Sequence, residues 1–166
     1  MPNTEIELDP ADFVTVGTVG PKGRRLFHLQ AGKGDQLITL IIEKQQAQAL
    51  AEAINELLEG LGEKHPELPE VEINLSHWDM SLRDPLDSLF RVSQMGLGYD
   101  EARNMVVLVA QELVVSEEEL IEPEPQTVRI WATREQMRAL SAHASSIVSK
   151  GRADPKANGH LIFYWT

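Results

Sequence analysis

The chain has 166 residues, no cysteine and a formal net charge of −11, from 15 basic and 26 acidic residues. That length suits one domain, 1–166, and folding at this size buries roughly two-thirds of the unfolded chain's surface, so neither a metal nor a disulfide is needed to hold it. The acidity repels a phosphate backbone, so no nucleic-acid partner is expected, and the missing thiols exclude cysteine catalysis and thiolate metal sites.

The opening MPNTEIELDP is acidic and polar, with no basic stretch followed by an apolar one, so no secretory signal is expected. No apolar run reaches about 18 residues, so no membrane partner is expected, and the protein is read as cytoplasmic. EIEL (5–8), DFVTVGTV (12–19) and RRLFHLQA (24–31) show the alternation or β-branched content of strands, and DQLITLII (35–42) is apolar on both faces, as a central strand would be. These read as antiparallel strands joined by the glycine-bearing turns GPKG (20–23) and GKGD (32–35).

The period then changes. Ala47, Leu50, Ala51, Ile54, Leu57, Leu58 and Leu61 fall on one face of a helix over 43–61, with Gly60 and Gly62 read as its end. Residues 62–88 read as irregular connection with at most a short strand at VEINL (71–75). LFRVSQMGL (89–97) and NMVVLVAQEL (104–113) read as two strands about the hairpin loop GYDEAR, the acidic 117–125 as a loop, and TVRIWA (127–132) as a strand. Thr133 with Gln136 has capping-box spacing. It opens a second helix, whose buried face is Met137, Leu140, Ala144, Ile147 and Val148 and whose end is Gly151. The tail is 151–166, and its HLIFYWT (160–166) is too apolar to stand exposed, so it is expected to add a strand or dock on the core. The fold class that follows is α+β: an antiparallel or mixed sheet of about six to eight strands with two amphipathic helices on one face.

Few motifs carry chemistry. No nucleophile elbow is present, and Ser141 and His143, two apart on a helix, point away from each other. GTVGPKG (17–23) lacks the spacing of a phosphate loop and lies between strands, so it reads as a turn. The histidines lack metal-binding spacing. A site from His77, Asp79 and Asp84 is conceivable, but a polar loop is the simpler reading; neither a metal nor a cofactor is assigned.

Two stretches stand out. If the helices cover the face bearing Phe27, Leu29, Phe90, Val92, Val128 and Ile130, the opposite face carries Leu26, His28, Gln30, Leu89, Arg91, Ser93, Arg129 and Trp131. Arginine and tryptophan favour sites that grip partners or flat anions, although a one-residue bulge would reverse the assignment. The loop SHWDMSLRDPLD (76–87) sets His77 and Trp78 among aspartates and an arginine, with Trp78 either plugging the core's edge or stacking on a ligand.

Several segments resemble an uncharacterised bacterial family catalogued as a domain of unknown function, number 3090. They are GTVGPKGRRLFHLQA (17–31), EKQQAQALAEAINELLE (43–59), FRVSQMGLGYDEARNMVVLVAQE (90–112) and ATREQMRALSAHASSIVSKGR (132–152). The family's members typically end in a cysteine-rich, zinc-type segment. Here the flanks of that segment remain, Asp154 stands where its last cysteine is expected, and no zinc ligand is carried over. The resemblance implies no activity. Members are often encoded beside phosphatase-like and kinase-like proteins, which suggests an accessory role. The expected function is a non-enzymatic module that binds a protein or a small anionic ligand. The rivals are an enzyme on a phosphorylated or carboxylated metabolite, with Arg91 and Arg129 as clamps and His28 or His77 as acid or base, and a homodimer whose interface uses the C-terminal HLIFYWT strand.

Overall fold

A computed structural model describes residues 5–21, 23–114 and 124–150, and the backbone of 162–165. The elements in chain order are β1 (Glu5–Leu8), β2 (Phe13–Val19), β3 (Leu26–Lys33), β4 (Gln36–Ile42), α1 (Lys44–Lys64), a 3-10 turn (Leu75–His77), β5 (Ser88–Asp100), β6 (Met105–Glu112), β7 (Thr127–Ala132), α2 (Arg134–Lys150) and β8 (Ile162–Trp165). This is the expected α+β class, with a mixed sheet and two helices.

The sheet runs β1-β7-β6-β5-β4-β3-β2. Its two end strands are neighbours in the chain, separated only by residues 9–12. In that link the Ala11 N–H donates to the Trp131 carbonyl on β7 (2.7 Å) and the Asp12 N–H to the Gly32 carbonyl on β3 (2.7 Å). One short link thus grips both ends of the sheet, which must curl round to meet it. β1 pairs with β7 in parallel, where the sequence pattern had suggested an antiparallel N-terminal group. Alternation in a four-residue strand reports which face is buried, but not which strand lies beside it.

β2, β3 and β4 form an antiparallel meander, and β4 pairs with the start of β5 in parallel through the crossover that contains α1. β5 and β6 form the hairpin expected around GYDEAR, but it is longer: Gly98–Asp100 belong to β5, and the turn is 101–104 with Asn104 at φ 54°. β8 pairs in parallel with Met95–Gly98. Since β6 holds the other flank of β5 there, β8 continues the line that β4 begins. The apolar C-terminal run therefore adds a strand, as expected, within Ile162–Trp165.

Inward positions follow the alternation. Phe27, Leu29 and Ala31 join Ile38, Leu40 and Ile42, Phe90 and Val92, Val106 and Leu108, and Val128 and Ile130 in one apolar core. Onto it α1 lays Ala47, Leu50, Ala51, Ile54, Leu58 and Leu61, and α2 lays Met137, Leu140 and Ala144. Full burial of each Leu or Ile contributes roughly 1.5–3 kcal/mol, so this two-helix cover is a large share of the stabilisation. Ser141 Oγ on α2 donates to the Ala51 carbonyl on α1 (2.8 Å), seating one helix on the other. The Thr133–Gln136 capping box is present in both directions, with Gln136 N–H donating to Thr133 Oγ1 (3.1 Å) and Thr133 N–H to Gln136 Oε1 (2.8 Å).

Two boundaries differ from the sequence reading. α1 runs through Gly60 and Gly62 to Lys64, and both glycines face open space, with nothing within 4 Å of a Cβ built at either. VEINL forms no strand; the Asn74 side chain accepts from the Ser76 N–H (3.1 Å) and Oγ (2.7 Å) and starts the 3-10 turn instead. The expected stop at Gly151, the remnant tail to His160 and the acidic run 117–119 lie outside the described residues.

Candidate functional site

The outer face of β2–β3–β4 presents Thr15 and Gly17, His28 and Gln30, and Thr39 and Ile41, as alternation dictates. It is not open to solvent. The last part of the 62–88 connection crosses it as a strap. Thr15 Oγ1 donates to the Met80 carbonyl (2.7 Å). Gln30 accepts from the Arg83 N–H (2.7 Å), while its Nε2 donates to the Arg83 carbonyl (2.8 Å) and to Thr39 Oγ1 (3.0 Å). A side-chain amide thus makes with the strap the two bonds that a neighbouring strand would make. Gln30 is wholly buried by it. Gly17 makes room for this cover, since a Cβ there would stand 2.5 Å from Leu82 Cγ. The Arg83 guanidinium stacks on the Phe13 ring, 3.6 Å from its centre.

His28 lies on the same covered face, between Gly17 and Ile41, and is 5% exposed. Its Nδ1 has no hydrogen-bond partner among the described residues. Burial pushes its pKa below the ordinary 6.5, against a smaller opposing effect of the Leu26 backbone. The imidazole is therefore held neutral at physiological pH.

Where the strap leaves the 3-10 turn it forms one wall of a cleft of about 420 Å³; β2 and α2 form the others. Thr18, Trp78, Asp79, Ser81, Leu82 and His143 are among its lining residues. Asp79 Oδ1 accepts from the Ser81 N–H (3.0 Å). That bond, with the Ser81 hydroxyl and the nearby Arg83 charge, holds the carboxyl below its ordinary pKa, so it is ionised at neutral pH. Trp78 is half-buried and lines the cleft, whereas His77, one residue earlier, is exposed and does not.

The remaining sequence candidates lie elsewhere. Arg91 points outward and pairs with Glu43 (2.8 Å). Ser93 occupies a β-bulge, because Val92 opposes Glu112 while Gln94 already opposes Gln111, and its hydroxyl faces the carbonyls of Gln111 (3.1 Å) and Glu112 (3.2 Å). The bulge resets the alternation, so Met95 and Leu97 continue the core begun by Phe90 and Val92. Arg129 pairs with Glu5 (3.2 Å) and borders a depression of about 360 Å³ with Gln94, Val107, Val109 and Gln111. Trp131 Nε1 donates to Glu7 (3.0 Å), and Arg103, itself bonded to Asp9, covers the indole at 4.8 Å. Arg129 shares a register with Gly96, about 16 Å along β5 from Arg91 at the usual strand rise, so the two arginines form no common clamp.

The eight candidates thus separate into three places: His28 and Gln30 beneath the strap, His77 and Trp78 at its start, and Arg91, Ser93, Arg129 and Trp131 on the β5–β7 side. Thr18 and His143 lie outside both candidate stretches of the sequence, and the fold brings them to Ser81 of the 76–87 loop. No local pattern joins residues 18, 81 and 143; only the packing of α2 beside β2 does. Among the described residues no three His, Asp or Glu side chains converge as metal ligands, and no helix is long and apolar enough to cross a membrane.

The chain matches, over residues 6–158, the model of the family described as Protein of unknown function (DUF3090), and it belongs to that family. No curated protein and no solved structure matches it.

Proposed function

We propose that this family member is a cytoplasmic binding module, and that the cleft between the strap, β2 and α2 is where it holds a small ligand or a projecting side chain of a partner protein. The observation that carries this reading is the bracing of the cleft wall. Met80 is bonded to Thr15 and Arg83 to Gln30 on either side of Leu82, so Trp78, Asp79 and Ser81 are presented by a segment fixed to the sheet. A binding surface prepared in this way loses little ordering entropy when its ligand arrives. The cleft is shallow and open, with one indole among polar residues, which suits a projecting side chain or a small head group better than an enclosed ligand.

The enzyme reading draws less support. It needs Arg91, Arg129 and a histidine in one pocket, whereas both arginines are engaged by glutamates on separate parts of the sheet, and His77 lies outside the cleft. A homodimer through HLIFYWT would have to use the other edge of that strand, since Ile162–Trp165 pairs with β5 of the same chain.

Native mass spectrometry tests the proposal. The protein is purified from its own cells without chelator, as wild type and as Trp78→Ala. A bound mass in the wild type that is missing from Trp78→Ala is the expected result. A bare polypeptide mass in both, or a bound mass retained in Trp78→Ala, overturns the cleft as the binding site.

A further inference from the structure

We propose that the cleft receives a primary ammonium group, between the Trp78 ring and the Asp79 carboxylate; this rests on the cleft being the binding site. The lining residues include one aspartate, one tryptophan, one histidine, a threonine and a serine, and no lysine or arginine. Arg83, whose charge reaches Asp79, is stacked on Phe13 and does not line the cleft. An incoming anion would meet Asp79 with no lysine or arginine in the lining to offset it.

The Asp79 carboxylate is both charged and oriented. The Ser81 N–H fixes Oδ1, and a carboxylate offers about four acceptor positions in all, so capacity remains for a ligand's N–H groups. Tryptophan has the aromatic face that attracts cations most strongly. A quaternary ammonium would instead call for several rings and no hydrogen-bond acceptor. Here Trp78 is accompanied by an acceptor and the Ser81 hydroxyl, a set matched to a head group that donates three hydrogen bonds. The chain's charge of −11 adds a long-range field that draws cations toward the surface.

The test uses the ¹⁵N-labelled full chain and three probes of matched shape: butylammonium, butanol and butyrate, at constant ionic strength. The Trp78 indole and Ser81 amide signals should shift saturably with butylammonium and stay in place with the other two. Asp79→Asn, whose fold is verified from its remaining signals, should weaken butylammonium binding by about tenfold, as loss of a charge-assisted bond does. Equal shifts with butanol or butyrate, or unchanged affinity in Asp79→Asn, would overturn the ammonium assignment and leave the cleft reading standing. If no probe moves a cleft signal, the ammonium assignment falls, and native mass spectrometry then decides the cleft reading separately. Nα-acetyl-lysine amide separates two sources of the same group: tighter binding than butylammonium assigns a partner's lysine, weaker binding a free amine.

Discussion

Replacing Gln30 with leucine tests whether the strap is held by the sheet's polar outer face. The substitution roughly preserves volume and removes three hydrogen bonds, two to the Arg83 backbone and one to Thr39. Thr39 is 1% exposed, so its hydroxyl is left buried without that partner, while Arg83 lies in an exposed segment where water can replace part of the loss. An unsatisfied buried hydroxyl costs about 1–3 kcal/mol and each of the two exchanged strap bonds about 0.5–1.5 kcal/mol, which together give a destabilisation of about 2–6 kcal/mol. For a chain of this size that corresponds to a Tm roughly 4–24 °C lower. Urea unfolding gives the stability change, and hydrogen exchange at the Arg83 amide shows whether the loss is local. The expected result is a lower midpoint together with faster exchange at Arg83. A change below about 0.5 kcal/mol with Arg83 protected as in the wild type would refute the reasoning, because a buried amide bonded on both sides cannot be removed so cheaply.

Two other perturbations probe the same face. Because His28 has a lowered pKa when folded, the unfolded chain binds its proton more readily. Stability attributable to His28 is therefore present above pH 6.5 and is lost as the pH falls through 6.5 toward the folded value. Urea midpoints at pH 7.5 and 5.5 should show this loss in the wild type and a smaller one in His28→Leu; an identical pH slope in both would exclude the histidine as its source. Gly17→Ala should destabilise by about 1–2 kcal/mol through its collision with Leu82, and the same change should be close to neutral in a Leu82→Ala background. Equal costs in both backgrounds, measured by thermal unfolding, would mean that the strap does not pack on Gly17.

The inner half of this protein was legible from its residues alone. Period-two alternation marks Phe27, Leu29, Phe90, Val92, Val128 and Ile130 as core, and the 3.6-residue stripes of α1 and α2 mark what covers them, because burial of one face is a local demand repeated at every turn or pleat. The outer face was read correctly in direction but not in environment. Nothing in RRLFHLQA reveals that Gln30 will bond Arg83, 53 residues away, and an outward polar residue has the same pattern whether water or a strap covers it. The bulge at Ser93 shows the same limit: it inserts one residue into the pairing and returns Met95 and Leu97 to the core, an event set by the partner strand β6.

Residues close together in the chain set the class of fold, the two helices and the Thr133 cap that starts one of them, and the added C-terminal strand. Tertiary structure alone decided the parallel partners of β1 and β5, the closure of the sheet at Ala11 and Asp12, and the meeting of Trp78 and Asp79 with His143. The physical reason is the range of the interactions. Propensity and amphipathicity act over a few residues, whereas a cleft is made by surfaces that come together only after the core has formed, and several sequences of outward side chains satisfy that core equally well.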